Sequence, residues 1–163
     1  MSPGPFMILR FRLFCRVPAA SALILVLASA LPARAETLPG PVAADVIRVV
    51  DGDTLALRAR IWIGIDIVVS ARIRGIDAPE LRGRCEAEKA AAEPAAAHLE
   101  ELVGASGVRL LRIENDKYAG RVVADVVTDD GTALGPAMLA AGLARPYDGS
   151  TRAPWCDVAS LAR

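Results

Sequence analysis

Residues 46–63 read VIRVVDGDTLALRARIWI, and their pattern decides the architecture. Val46 to Val50 is a short apolar run stopped by Asp51-Gly52-Asp53, a turn signal because glycine accepts positive φ. From Thr54 to Ile63, Leu55, Leu57, Ala59 and Ile61 alternate with Ala56, Arg58, Arg60 and Trp62. A period of two describes a strand with one buried face. Gly64 interrupts it and Ile65 to Ile76 resumes, so the spacing predicts a long hairpin, with Pro79 ending the third strand.

Downstream, Glu86 to Val103 is rich in Ala, Glu and Leu and predicts a helix. Pro94 inside it either kinks the helix or marks the start of its straight part. Gly104 and Gly107 close that segment. Val108 to Ile113 and Arg121 to Thr128 read as a fourth and a fifth strand around a polar loop at 114–120. Asp129-Asp130-Gly131 turns the chain into a short helix over 134–141, with Pro136 tolerated in its first turn. Three strands, a helix, two strands and a helix predict an α+β, mainly β, chain. The expected form is a five-stranded barrel of oligonucleotide-binding (OB) type with two or three packed helices.

Upstream, residues 36–44 (ETLPGPVAA) carry two prolines and a glycine and read as a leader into a domain at 45–148, with 149–163 as a C-terminal extension. Residues 1–35 have the pattern of a signal peptide. Arg10, Arg12 and Arg16 form a basic region, Ala19 to Leu31 an apolar run, and Ala33-Arg34-Ala35 a small-x-small site that places cleavage before Glu36. A membrane anchor is the alternative, but a span needs about 20 apolar residues and this run is shorter. The expected product is an exported protein, periplasmic or secreted, with no membrane attachment after cleavage and monomeric.

The 163 residues balance at 19 basic and 19 acidic groups, but the first 35 hold four arginines and no acid. Residues 36–163 therefore carry 15 basic and 19 acidic groups, a net charge of −4. That balance argues against holding polyanions by bulk charge. A hydrophobic content of 53% excludes a disordered chain, and 4% aromatics exclude an aromatic-rich binding surface. Beyond the leader two cysteines remain, Cys85 and Cys156, either one disulfide in an oxidising compartment or two separate thiols. Without C-x-x-C or a Cys/His cluster, structural zinc has no ligands.

Three polar clusters fall at element ends: Asp51/Asp53, Asp77/Glu80 and Asp116 to Arg121, with Arg72 and Arg74 ahead of the second. Carboxylates so placed can converge on one hard cation, since Ca²⁺ takes about 6–8 oxygens in loose geometry. Arginines beside it suit a phosphate, whose oxygens match the guanidinium fork. The competing reading is plain solvated turn aspartates and strand arginines.

The segments Val49-Val50-Asp51-Gly52-Asp53-Thr54, Arg72-Ile73-Arg74-Gly75-Ile76-Asp77-Ala78-Pro79-Glu80 and Asp116-Lys117-Tyr118-Ala119-Gly120-Arg121 resemble the three signature blocks of the staphylococcal nuclease (thermonuclease) family. Gly142-Leu143-Ala144-Arg145-Pro146-Tyr147 resembles a later segment of it, so the likeness runs over about 45–148. The resemblance implies a five-stranded barrel with helices and Ca²⁺ held by the Asp53 and Asp77 carboxylates and the Ala78 carbonyl. It implies that Glu80 holds or deprotonates the attacking water and that Arg72 and Arg121 clamp the scissile phosphate. Lys117 and Tyr118 would meet a neighbouring phosphate and Tyr147 would wall the nucleotide pocket. The implied activity is hydrolysis of DNA and RNA, single strands preferred, leaving 3′-phosphates. A non-catalytic barrel that binds oligonucleotide or another ligand is the rival expectation.

Overall fold

The structure is a computed structural model that describes residues 36–156. The expected signal peptide at 1–35, and residues 157–163 of the expected extension, lie outside the described residues. In chain order the elements are β1 (Thr37–Leu38), β2 (Val42–Asp51), β3 (Thr54–Trp62), β4 (Ile65–Ile73), β5 (Ile76–Asp77), α1 (Glu86–Val103), β6 (Val108–Asn115), β7 (Arg121–Thr128), α2 (Leu134–Ala140) and β8 (Arg145–Pro146).

Strands β2, β3, β4, β7 and β6 form the expected closed five-stranded barrel. All pairings are antiparallel except β4–β7, the parallel contact in which Ser70 faces Arg121 and Ile73 faces Ala124. The alternation in β3 does what its period dictates. Leu55, Leu57 and Ala59 are buried, while Arg58 and Arg60 are exposed. The inward face meets Ala71 and Ile73 of β4, Val108 and Leu110 of β6, and Ala124 and Val126 of β7. Ala95, Leu99 and Val103 of α1 and Leu134 and Met138 of α2 join the same core. Each fully buried Leu or Ile removes a side chain from water, worth about 1.5–3 kcal/mol.

The hairpin outruns that core. Ile61 is 48% exposed and Trp62 70% exposed, so the apolar period continues past the point where the barrel can bury it. Helix α1 runs through Pro94, which lies on its exposed face. Its N-terminus is fixed locally, because Cys85 Sγ accepts from the Glu88 N–H while Glu88 Oε2 accepts from the Arg84 N–H.

Two boundaries and one turn differ from the sequence reading. Residues 37–38 pair with Ile113 and Glu114 of β6, and 42–44 pair with Val108 to Leu110, so much of the expected leader at 36–44 belongs to the sheet. Prolines mask such strands because the pairing partners are 64 to 77 residues away in sequence. The third strand breaks after Ile73, where Gly75 at φ 82° turns the chain into β5. Gly52 does not have positive φ. A Cβ there would lie 2.7 Å from Ala95 Cβ and 2.9 Å from Ala78 Cβ, so glycine is required because α1 presses on the turn.

Candidate active site

The β2–β3 turn, the β4–β5 turn and the segment after β5 meet because β3 and β4 pair in register. Arg72 sits opposite Thr54, and the Ile73 N–H donates to the Asp53 carbonyl at 2.8 Å. Asp53 is thereby carried beside Arg72 and is 3% exposed. Its Oδ2 lies 3.0 Å from Arg72 Nη2 and accepts from the Ala78 N–H at 3.2 Å, while Thr54 Oγ1 donates to Oδ1 at 2.7 Å. Arg72 Nη2 also reaches Asp77 Oδ1 at 3.2 Å and the Ile76 carbonyl at 3.3 Å. Asp53, Arg72, Asp77 and Ala78, singled out from sequence, thus form one buried nest.

Asp77 is 3% exposed and is the most heavily partnered carboxylate in it. The β5–β8 pairing places Arg145 opposite Asp77, with Nη2 3.4 Å from Oδ2. Trp155 Nε1 donates to Oδ2 at 2.9 Å. Arg152 Nε donates to Oδ1, Arg152 Nη1 to Glu80 Oε1, and Arg152 Nη2 to the Ala78 carbonyl at 3.1 Å. Burial pushes the Arg152 pKa down, but the Glu80 hydrogen bond and the charges of Asp77 and Glu80 outweigh it and hold the guanidinium well above its ordinary value. Asp51 braces the nest from outside by accepting from the Leu81 N–H at 3.0 Å. Burial raises its pKa; the Leu81 hydrogen bond opposes the shift, and repulsion from Asp53 and Glu80 adds to it.

The segment 116–121 forms the facing wall. Asp116 Oδ2 accepts from Arg121 Nε, and its Oδ1 accepts from the Lys117 N–H at 2.6 Å. The Arg121 guanidinium lies 4.6 Å from the centre of the Tyr118 ring and Lys117 Nζ lies 5.3 Å from it. Gly120, at φ 76°, lets the chain turn past Ala119 into β7. The groove between the walls has a volume of about 780 Å³ and is lined by Arg72, Glu80, Lys117, Tyr118, Arg121, Tyr147 and Arg152, among others. Tyr147 stands 5.1 Å from the Arg72 guanidinium, and its hydroxyl donates to the Ser150 carbonyl at 2.6 Å. Asp53 and Asp77 sit behind this lining rather than in it. Asp77 borders a neighbouring hollow of about 500 Å³ with Arg145.

Arg74, two residues from Arg72, also borders the groove but is tied to its wall. It binds Glu114 at 3.1 Å and the Val123 carbonyl at 3.3 Å, clipping β6 to β7. His98 is remote from the groove, on α1 beside Glu101. Cys85 and Cys156 form a disulfide with their Cα atoms 6.1 Å apart. It accounts for what sequence reasoning missed, the arrival of Arg152 and Trp155 at Asp77. Cys85 lies five positions after Glu80 and Cys156 four after Arg152, so a bridge between them draws the extension across the carboxylates.

The donor set suits a hard cation. Two carboxylates, a main-chain carbonyl and the adjacent Glu80 are all oxygen ligands of the kind Ca²⁺ takes. A guanidinium already stands as a cation against Asp77, Ala78 and Glu80.

The sequence model of the family described as Staphylococcal nuclease homologue matches residues 70–156. That stretch contains every residue of the nest and groove named above except Asp51, Asp53 and Thr54, which the strand register brings in. No curated protein matches the chain. With more than half its length matched and the closed OB-type barrel built, the chain belongs to the staphylococcal nuclease homologue family, whose domain points to nuclease or nucleic-acid-binding function.

Proposed function

We propose that the protein is an exported, Ca²⁺-dependent phosphodiesterase that cuts DNA and RNA without strong sequence specificity and leaves 3′-phosphate ends. One observation carries this reading: Arg72, Arg121 and Glu80 line a single groove, and an oxygen-donor nest (Asp53, Asp77, Ala78) lies directly behind it, bonded to Arg72. A binding barrel without chemistry has no use for that combination.

Asp53, Asp77 and the Ala78 carbonyl would hold the cation, which when bound offsets the negative charge that builds on the phosphate. The described bonds of Arg72 all run through Nη2, leaving Nε and Nη1 to grip a phosphate oxygen. Arg121 is held through Nε by Asp116, leaving its two Nη groups for the same phosphate from the other wall. Donors fixed before the reaction stabilise the developing charge without reorganising. A Glu80 carboxylate oxygen takes the proton from the attacking water, and the 5′ oxygen leaves. The Tyr118 and Tyr147 rings and Lys117 line the groove and would flank the path of the strand, and the base must be splayed for the groove to reach the phosphate, which favours single-stranded substrate. With residues 36–163 net acidic and only Lys89 and Lys117 as lysines, affinity rests on local arginines and falls steeply with salt.

The test is cleavage of single-stranded DNA by the purified protein with Ca²⁺ and with chelator, beside Asp53→Ala. Calcium-dependent cutting absent from the variant supports the reading. Equal cutting by both proteins removes Asp53 from the site. Export is checked separately by N-terminal sequencing of protein from the periplasm or medium, which should begin at Glu36.

The second reading, a binding barrel, is favoured by one specific contact. Arg152 pairs with Glu80 and occupies the carboxylate that would act as base. Tight oligonucleotide binding with no cleavage under any metal would decide for it.

A further inference from the structure

We propose that Arg152 is a built-in competitor of the divalent cation, and that residues 149–156 form a strap holding it in the carboxylate nest until metal displaces it. The inference rests on the reading of Asp77, Ala78 and Glu80 as the metal-facing oxygens. Three nitrogens of one guanidinium engage those three groups, Nε on Asp77, Nη1 on Glu80 and Nη2 on the Ala78 carbonyl. A cation of Ca²⁺ type needs the same oxygens at about 2.3–2.6 Å. A guanidinium seated across all three groups occupies the space from which a cation would reach them at that range, so one excludes the other.

The strap is secured at both ends by contacts that leave those oxygens alone. On one side the Tyr147 hydroxyl donates to the Ser150 carbonyl, and the Ser150 N–H donates to Asp148 Oδ1 at 2.9 Å. On the other, Cys156 is bonded to Cys85 at the N-cap of α1. Between them Arg145 stacks 3.5 Å from the centre of the Trp155 ring and donates to the Ala153 carbonyl at 2.9 Å. The backbone can therefore stay in place while the Arg152 side chain swings out, since its stem has several rotatable bonds. With no metal present, the guanidinium relieves the repulsion of Asp77 and Glu80. Once displaced, it remains at the rim of the groove it lines.

The test is Ca²⁺ affinity by calorimetry on the protein with its disulfide intact. Tb³⁺ as a luminescent substitute gives a second readout. Trp155 hydrogen-bonds Asp77 and would sensitise Tb³⁺ held there, whereas the other tryptophan, Trp62, is exposed at the hairpin tip, so Trp155→Phe sets the background. Removing charge-assisted hydrogen bonds to the nest should make Arg152→Gln bind Ca²⁺ about 10- to 100-fold more tightly than wild type. Arg152→Lys, whose single ammonium cannot span three oxygens, should fall between them. If Arg152→Gln fails to fold, Arg152→Lys alone carries the test. Affinity unchanged or weakened in the variants, with wild type binding metal, overturns the competition and leaves the calcium reading standing. No metal binding by any of the proteins overturns both.

Discussion

The two walls of the groove solve the same problem, placing arginines beside a phosphate, in opposite ways. On one wall Asp53, Arg72 and Asp77 are almost fully buried, and Asp77 alone meets three arginines and an indole from three separate parts of the chain. On the other, Arg121 is held by Asp116 and Tyr118, both within five residues of it. Tyr118 is 56% exposed. The nest is a product of tertiary packing and is part of what holds the fold together. The loop is a local device whose residues can be changed without disturbing the core.

Four expectations sharpen or break that contrast, the largest first. Glu80→Gln should lower turnover about 10²–10⁴-fold, the usual contribution of a positioned base, while metal binding persists. Unchanged turnover would take Glu80 out of the mechanism. Asp77→Ala should cost about 3–5 kcal/mol of stability, because it strands buried positive groups without their counter-charge. Urea unfolding measures this, and a loss under about 1 kcal/mol would mean that the nest is not structural. Arg121→Ala should reduce kcat about 10²–10³-fold, with a stability change within about 0.5 kcal/mol. A large stability loss there would erase the difference between the walls.

The smallest effect concerns Asp148 beside the strap. Its hydrogen bonds from the Ser150 side chain and N–H hold its pKa below the ordinary carboxylate value. The ionised form is therefore favoured by folding. Its stabilising contribution is present above the ordinary carboxylate pKa and disappears as pH falls through the lowered one. An NMR titration of the side-chain carboxyl checks the direction, and an ordinary value would mean that the loop is not closed in solution.

The fold was readable where its cause is local. The β3 alternation, the α1 composition and the turn at 129–131 each report a period or a turn preference that neighbouring residues impose. Thr37, Leu38 and residues 42–44 were not readable, because they are strands only by virtue of β6, far along the chain. Gly52 was visible as a glycine, yet its reason is the methyl of Ala95 on α1 and not its own dihedral angle. Of the site, the acidic and basic residues at element ends stood out from spacing and family resemblance. Arg152 and Trp155 did not, since no motif marks them, and Arg145 lay in a segment of family resemblance that assigned it no role; their partners lie 68 to 78 residues away.

By itself the sequence determined a mainly β barrel, two helices and the polar residues at the ends of its strands, because period, turn chemistry and charge are properties of adjacent residues. Only the tertiary structure decided which charges meet. The parallel β4–β7 closure brings Arg121 to the groove of Arg72, and the Cys85–Cys156 bridge brings Arg152 to Asp77. Ion pairs depend on distance in space, which chain order alone does not set.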